Sequence, residues 1–132
     1  MNATSVDIAA ILVADTSLGL TIASNLFVGK EPTSPENAVT ILDTPGEPPQ
    51  LTLAGKGEDY YYPSFQIRVR NIDYRTGYNL AHDIMVSLHS RASEVWNDTL
   101  YTVITCISDV SLMDWDDNGL CRFIVNFNAQ RR

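Results

Sequence analysis

Cysteine and histidine are both scarce in this sequence. Its 132 residues contain two cysteines, Cys106 and Cys121, each inside its own apolar run, and we interpret both as buried free thiols. A structural zinc ion needs four ligands, which often come as close pairs. The two histidines, His82 and His89, are seven residues apart, which on a helix separates them by roughly 10 Å along the axis. The sequence therefore predicts no zinc site.

Basic side chains are also few: nine stand against sixteen acidic ones, which gives a net charge of −7. This charge disfavours broad attraction to nucleic acid phosphates or to an anionic membrane. No apolar run approaches the roughly 20 residues of a spanning helix, and the N-terminus lacks the basic region that precedes a signal-peptide core. We predict a protein that is made in the cytoplasm and binds neither a membrane nor a specific DNA sequence.

Catalytic patterns are missing as well. No Ser/His/Asp or Cys/His grouping is recognisable, and Gly29-Lys30 lacks the upstream glycine of a phosphate-binding loop. We therefore predict that the protein is not an enzyme and carries no cofactor. Two carboxylates brought together by folding could still form a metal-assisted hydrolytic site, and this alternative stays open.

One acidic segment resembles the start of a calcium-binding loop. Asp114, Asp116, Asn118 and Gly119 match its opening positions, but Val125 stands where a bidentate glutamate is required. The residues after it also alternate like a strand rather than a helix. We interpret the segment as an acidic solvated turn, with a calcium-dependent binding module and a protein contact as the alternatives.

The apolar periodicity predicts two helices. Thr4 and Asp7 form a capping-box-like start for a helix over residues 5–18, which Gly19 ends. Asp73 is a candidate N-cap for a second helix over residues 74–90. In that helix the apolar side chains recur at helical spacing and should pack against a sheet: Tyr74, Tyr78, Ala81, Met85 and Leu88.

Strands and one long loop are predicted between and after these helices. Residues 64–70 alternate strictly between apolar and polar side chains, which is typical of a strand. Further strands are expected at residues 20–28, 38–42, 100–107 and 120–127. Prolines and glycines fill residues 44–63, so we predict a long loop there, which is either a flexible excursion or an arm that orders on a partner.

Together these elements predict a single α/β (α+β) domain over residues 1–132. It would have one small mixed or antiparallel sheet of about five strands, with the two helices packed on one face. Arg68 and Arg70 would leave the sheet on the other, uncovered face. We therefore predict a protein interface made by these two arginines and by the loop tyrosines: Tyr60, Tyr61, Tyr62, Arg68 and Arg70.

Several short segments, taken in order, carry a family resemblance. They are Asn25–Gly29, Pro32, Pro35, Asp43–Gly46, Pro48-Pro49, Pro63–Arg70, Tyr74–Tyr78, Asp117–Gly119 and Phe123–Phe127. With these segments the chain resembles the phage minor capsid proteins that are related to the tail terminators of long-tailed bacteriophages. The resemblance covers nearly the whole chain.

The resemblance implies a structural role in the virion. It implies a small sheet with flanking helices, a hexameric ring at the head-proximal end of the tail tube, and no catalytic residues. Such a ring stops tube polymerisation and offers a surface for head joining, so the implied partners are other copies of the chain, the tail tube protein and the head connector. A head-closure protein of the neck is the alternative. DNA would pass through the lumen without specific binding.

Overall fold

The computed structural model describes residues 1–50 and 59–132. No helix in this part of the chain has the length and apolar character needed to cross a membrane. The elements, in chain order, are helix α1 (Thr4–Ala14), a 3₁₀ turn (Thr16–Leu18), β1 (Leu26–Val28), β2 (Ala38–Gln50), β3 (Tyr60–Asn71), helix α2 (Tyr74–Leu88), β4 (Arg91–Trp96), β5 (Thr99–Cys106), β6 (Ser111–Trp115) and β7 (Cys121–Arg131).

The seven strands form one sheet in the order β1-β2-β3-β7-β5-β4, and β6 also pairs with β7. Among the described residues β1 is parallel to β2, and the other paired strands are antiparallel. Strands β5 and β6 share one edge of β7: β6 pairs along Cys121–Ile124 and β5 along Phe127–Arg131. The prediction of a mixed sheet with two helices is confirmed, but β4 and β6 were missed. Neither strand has a sustained alternation of buried and exposed positions that would mark it in the sequence.

The core lies between the helices and one face of the sheet. Strand β3 buries its odd-numbered apolar side chains, and β7 buries the matching set. Phe65 and Phe127 are register partners whose rings stack with centroids 5.0 Å apart. Helix α1 covers the β1–β3 side of this face and α2 the β3–β7–β5 side. Their buried apolar residues are Ile8, Ile11, Leu12, Ala81, Ile84 and Leu88.

Helix α1 is capped by a distant strand rather than by its own sequence. The carboxylate of Asp43 on β2 accepts hydrogen bonds from Ser5 N at 2.9 Å and from Ser5 Oγ at 2.6 Å. The predicted cap by Thr4 and Asp7 is therefore wrong, since Ala3 is the N-cap residue and makes no side-chain cap bond. The helix also ends at Ala14, before the 3₁₀ turn, instead of continuing through residue 18.

Helix α2 begins as predicted. Asp73 Oδ2 accepts hydrogen bonds from Thr76 N at 3.0 Å and Thr76 Oγ1 at 2.5 Å. These bonds, the side-chain bond first, hold the pKa of Asp73 below its ordinary value of 3.8. Gly77 lets the helix pack closely on the sheet, because a Cβ there would lie 3.0 Å from Asn71 Cβ and 3.1 Å from a Phe123 ring carbon.

The predicted loop over residues 44–63 is wrong at both ends. Strand β2 runs to Gln50 and β3 starts at Tyr60, so the described ends of this segment are the two antiparallel strands of a hairpin. Residues 51–58 of the predicted loop lie outside the described part. The register slips between Thr44 and Glu47 and again between Glu47 and Gln50. These bulges contain Pro45-Gly46 and Pro48-Pro49. They lie beyond Val39–Ile41, the part of β2 that pairs with β1. Prolines are tolerated at such bulges and edges, which is why the breakers did not end the strand.

The first predicted strand is also shorter than expected. Only Leu26–Val28 of residues 20–28 forms a strand, and it pairs with Val39–Ile41. Ala23 has a φ of 66° and turns the chain just before it. Asn25 stabilises this turn, because its side chain accepts from Thr21 N and donates to the Gly19 carbonyl.

Candidate assembly surfaces

The uncovered face of the sheet carries a row of polar side chains. Ser64 Oγ donates to Asn128 Oδ1 at 2.5 Å, and Gln66 Nε2 donates to Asn126 Oδ1 at 2.9 Å. Arg68 Nε donates to Gln66 Oε1 at 2.7 Å, and no ion pair of Arg68 occurs in the described ranges. We call these five residues the polar face. Its groups are hydrogen-bonded but not covered by a helix, so this face is available to a neighbouring molecule.

Arg70 leaves the sheet on the same face but is not available there, because the segment before β2 covers it. The side chain is buried, donates to the carbonyls of Pro35 at 2.8 Å and Glu36 at 3.0 Å, and pairs with Glu31 at 3.3 Å. Glu31 also pairs with Arg122, the register partner of Arg70, at 3.1 Å. The expectation of an exposed Arg70 is wrong, since one glutamate bridges two adjacent arginines and closes this end of the face.

The three predicted interface tyrosines lie in a strand rather than in a loop. Tyr62 Oη donates to Gln50 Oε1 at 3.3 Å, and the guanidinium of Arg132 lies 5.4 Å from the centroid of the Tyr60 ring. By strand alternation, Tyr60 and Tyr62 leave the sheet on the same side as the polar face, whereas Tyr61 points to the opposite side. All three are half-buried. Their part in an interface stays a prediction.

The acidic segment over residues 114–119 folds as a turn only from Asp116 onward, because Asp114 and Trp115 end strand β6. Asp116 Oδ1 accepts from the backbone N–H groups of Asn118 and Leu120, both at 2.9 Å, and the Leu120 bond is the first cause of its lowered pKa. Asp114 pairs with Arg122 at 2.8 Å. Over residues 1–50 and 59–132 no group of three or more acidic, histidine or cysteine side chains could hold a metal ion. The geometry favours the turn, and the calcium-dependent binding module stays an untested alternative.

The two histidines and the two cysteines belong to no metal-binding group among the described residues. His82 and His89 border an open groove of about 710 Å³ along α2, and His89 Nδ1 accepts from Cys106 N at 3.0 Å. Both cysteines are free thiols, Cys121 buried and Cys106 half-buried. Burial raises the pKa of both thiols. The prediction of buried thiols therefore holds for Cys121 and only in part for Cys106.

A buried carboxylate, which the sequence did not reveal, joins the first helix to the last strands. Asp7 is fully buried and accepts from Tyr101 Oη at 2.5 Å and from Asn97 Nδ2 at 2.8 Å. Arg131 lies 3.5 Å from the same carboxylate. Burial, followed by the bond to Asp7, raises the pKa of Tyr101, which keeps the phenol protonated. Asp7 and Tyr101 are buried, whereas Arg131 is half-buried and Asn97 exposed, so the cluster connects the core to its border.

An exposed aromatic cluster lies at the start of α2. Tyr74 packs edge-on against Phe123, with centroids 5.0 Å apart, and stacks with Trp115 at 6.2 Å. Tyr74 is 49% exposed and Trp115 54%. Tyr74 thus packs against the sheet through Phe123, as the helical spacing predicted, but it is not buried. Trp115 sits on β6, the strand that the sequence did not reveal.

Comparisons with known proteins place these surfaces in context. The sequence profile of the family described as bacteriophage tail terminator protein matches residues 9–132. None of the curated protein sequences compared with the chain matches it.

A similar fold occurs in a solved chain from a structure titled "Virion of native gene transfer agent (GTA) particle". The TM-score is 0.68 at 15% sequence identity, and the match covers 98% of this chain and 94% of that one. At this identity the likeness concerns the fold, over nearly the full length of both chains.

Proposed function

Because the chain belongs to the bacteriophage tail terminator family, and is thus a structural protein of a phage tail or neck, we propose that it forms a hexameric ring at the head-proximal end of the tail tube. The ring stops tube polymerisation and offers the surface that joins the tail to the head. The observation that carries the proposal is the family match across residues 9–132. Other copies, the tail tube protein and the head connector are the partners.

Two features of the subunit support assembly into a ring. The polar face has no helix over it, and the hairpin of β2 and β3 presents an exposed run from residue 45 to residue 50. Arg68 is a cation without an ion pair in the described ranges, in a chain with an excess of acids. A contact between two different surfaces of identical subunits generates a ring when the rotation closes.

The acidic composition fits a channel through which DNA passes. With a net charge of −7 per copy, a ring repels phosphates wherever its carboxylates face the lumen, so DNA slides without being held. The ring would be a part of the virion, assembled in the host cytoplasm, and would need neither a cofactor nor enzymatic activity.

Deletion of the gene tests the proposal and separates it from the head-closure alternative. Electron microscopy of the deletion phage should show tails that are longer than wild-type tails and not joined to heads, and a plasmid copy should restore both properties. Tails of normal length that fail to join would support the head-closure role instead. Normal particles without the protein would refute both roles.

A further inference from the structure

We propose that the aromatic cluster of Tyr74 and Trp115 binds the Pro48-Pro49 bulge of a neighbouring copy, and that Arg75 and Glu47 form an ion pair across this contact. This inference rests on the proposed ring and names the surfaces that would close it. It makes the hairpin of one subunit the ligand and the start of α2 in the next subunit the receptor.

The receptor surface is exposed and rigid. Tyr74 and Tyr78 both contact the Phe123 ring, with centroids 5.0 Å and 5.9 Å apart, and Trp115 stacks on Tyr74. All three of these rings are exposed, Tyr78 the least at 37%. The cap at Asp73 fixes the backbone directly before Tyr74. Tyrosine and tryptophan contribute most strongly to protein interfaces when a partner covers them, and exposed clusters of them mark such sites.

The ligand surface is built to match it. Pro48 and Pro49 are exposed and occupy the second bulge of β2, between Glu47, which pairs with Tyr62, and Gln50, which pairs with Tyr60. Proline rings fix φ, so little conformational entropy is lost when they dock. Consecutive prolines in an extended backbone are a common ligand of surfaces lined with tyrosine and tryptophan.

The charges beside the two surfaces are complementary. Glu47 precedes the prolines and Arg75 follows Tyr74, and both are exposed. Neither forms an ion pair with another described residue. Four other arginines are already engaged with acids of their own chain: Arg70, Arg91, Arg122 and Arg131.

One copy cannot make this contact with itself. Tyr62, beside Glu47, and Asn71, just before the cap of α2, lie at opposite ends of the same strand. The two residues are nine positions apart along the strand, which corresponds to a distance of about 30 Å. The contact must therefore join unlike ends of two copies, and such a head-to-tail contact is the kind that closes into a ring.

Charge reversal tests the pairing in phage that lack the chromosomal copy and receive each variant from a plasmid. Glu47→Arg and Arg75→Glu should each lower the yield of joined particles at least about tenfold, because each places like charges against one another. The double variant should restore the yield to within about threefold, since it recreates an opposite-charge pair. Circular dichroism of each purified variant shows whether the subunit is folded.

Trp115→Ala tests the aromatic part, with Val95→Ala as the control, because Val95 is similarly exposed at 66% but lies on β4. Only Trp115→Ala should reduce the yield. Single reversals without effect, or a folded double variant that restores nothing, would overturn the inference. If deletion of the gene itself leaves tail length and joining unchanged, the proposed function fails instead, so the two failures are distinguishable.

Discussion

The hydroxyl of Tyr101 donates a hydrogen bond to Oδ2 of Asp7, 2.5 Å away and 94 residues earlier in the chain. Asn97 and Arg131 contact the same carboxylate. A fully buried carboxylate is stable only with such partners, because it has lost its contacts with water. The N-terminal helix is thus fixed to β5 and β7 by one polar cluster inside an otherwise apolar core.

Replacing Asp7 with alanine should destabilise the isolated subunit. The change leaves the Tyr101 hydroxyl and Arg131 without their acceptor in a buried place, and we expect a loss of about 3 kcal/mol in the free energy of unfolding. Urea unfolding followed by circular dichroism measures it. Asp83→Ala is the control, because Asp83 is exposed on α2, away from the cluster. Equal stability of the two variants would show that the cluster contributes little.

Replacing Gly46 with alanine should distort the hairpin. A Cβ at this position would lie against the Tyr62 carbonyl oxygen, closer than any real contact, and 2.9 Å from Ser64 N. The strands must shift, at a cost of about 1–3 kcal/mol. Hydrogen exchange should become faster at residues 44–47 and 62–64 while the β5–β7 pairing stays protected. Thr44→Ala is the matched control in the same strand, and unchanged exchange in Gly46→Ala would contradict this account of the bulge.

The cap of α2 should make stability depend on pH in the acid range. The folded-state pKa of Asp73 is lowered by its bonds to Thr76, so its contribution is present above the ordinary value of 3.8 and is lost as the pH falls through the lower folded-state pKa. Asp73→Ala should therefore melt at a lower temperature than wild type at pH 7, and the difference should shrink toward pH 2. Asp83→Ala, an exposed change on the same helix, should show no such trend.

Local patterns in the sequence predicted the elements whose causes are local. The alternation of Phe65, Ile67 and Val69 identified β3, and Asp73 identified the start of α2. The cap of α1 was not predictable in this way, because it comes from Asp43, 38 residues away from Ser5. Only tertiary folding brings those two residues together.

For the candidate surfaces, too, local patterns in the sequence predicted some features, and only the whole fold explains the others. The alternation correctly put Arg68 and Arg70 on the face opposite the core, but it carries no information on what covers that face. Glu31 arrives from another part of the chain and buries Arg70. Likewise, Tyr74 and Trp115 meet only because β6 pairs with the end of β7 nearest the start of α2. Exposure and juxtaposition of this kind depend on the whole fold.

The last prediction separates the two arginines of β3, which the sequence alone treats as equivalent. Arg70→Ala removes one of the two arginine partners of Glu31, the other being Arg122, together with the donor to two backbone carbonyls, so we expect a loss of about 1–3 kcal/mol. Arg68→Ala removes a hydrogen bond on an open face and should cost about 0–1 kcal/mol. Thermal unfolding of the purified subunits measures both changes.

Arg68 should matter for assembly even though it contributes little to the stability of the subunit. We expect its guanidinium to meet a carboxylate of a neighbouring copy or of the tail tube, so Arg68→Ala subunits should fold normally yet give fewer completed, joined tails. Arg68→Lys keeps the charge and should restore part of the loss, whereas Arg68→Gln should not, because a glutamine keeps hydrogen-bonding capacity without charge. Wild-type numbers of joined tails from Arg68→Ala would mean that the polar face contacts its neighbour without this side chain.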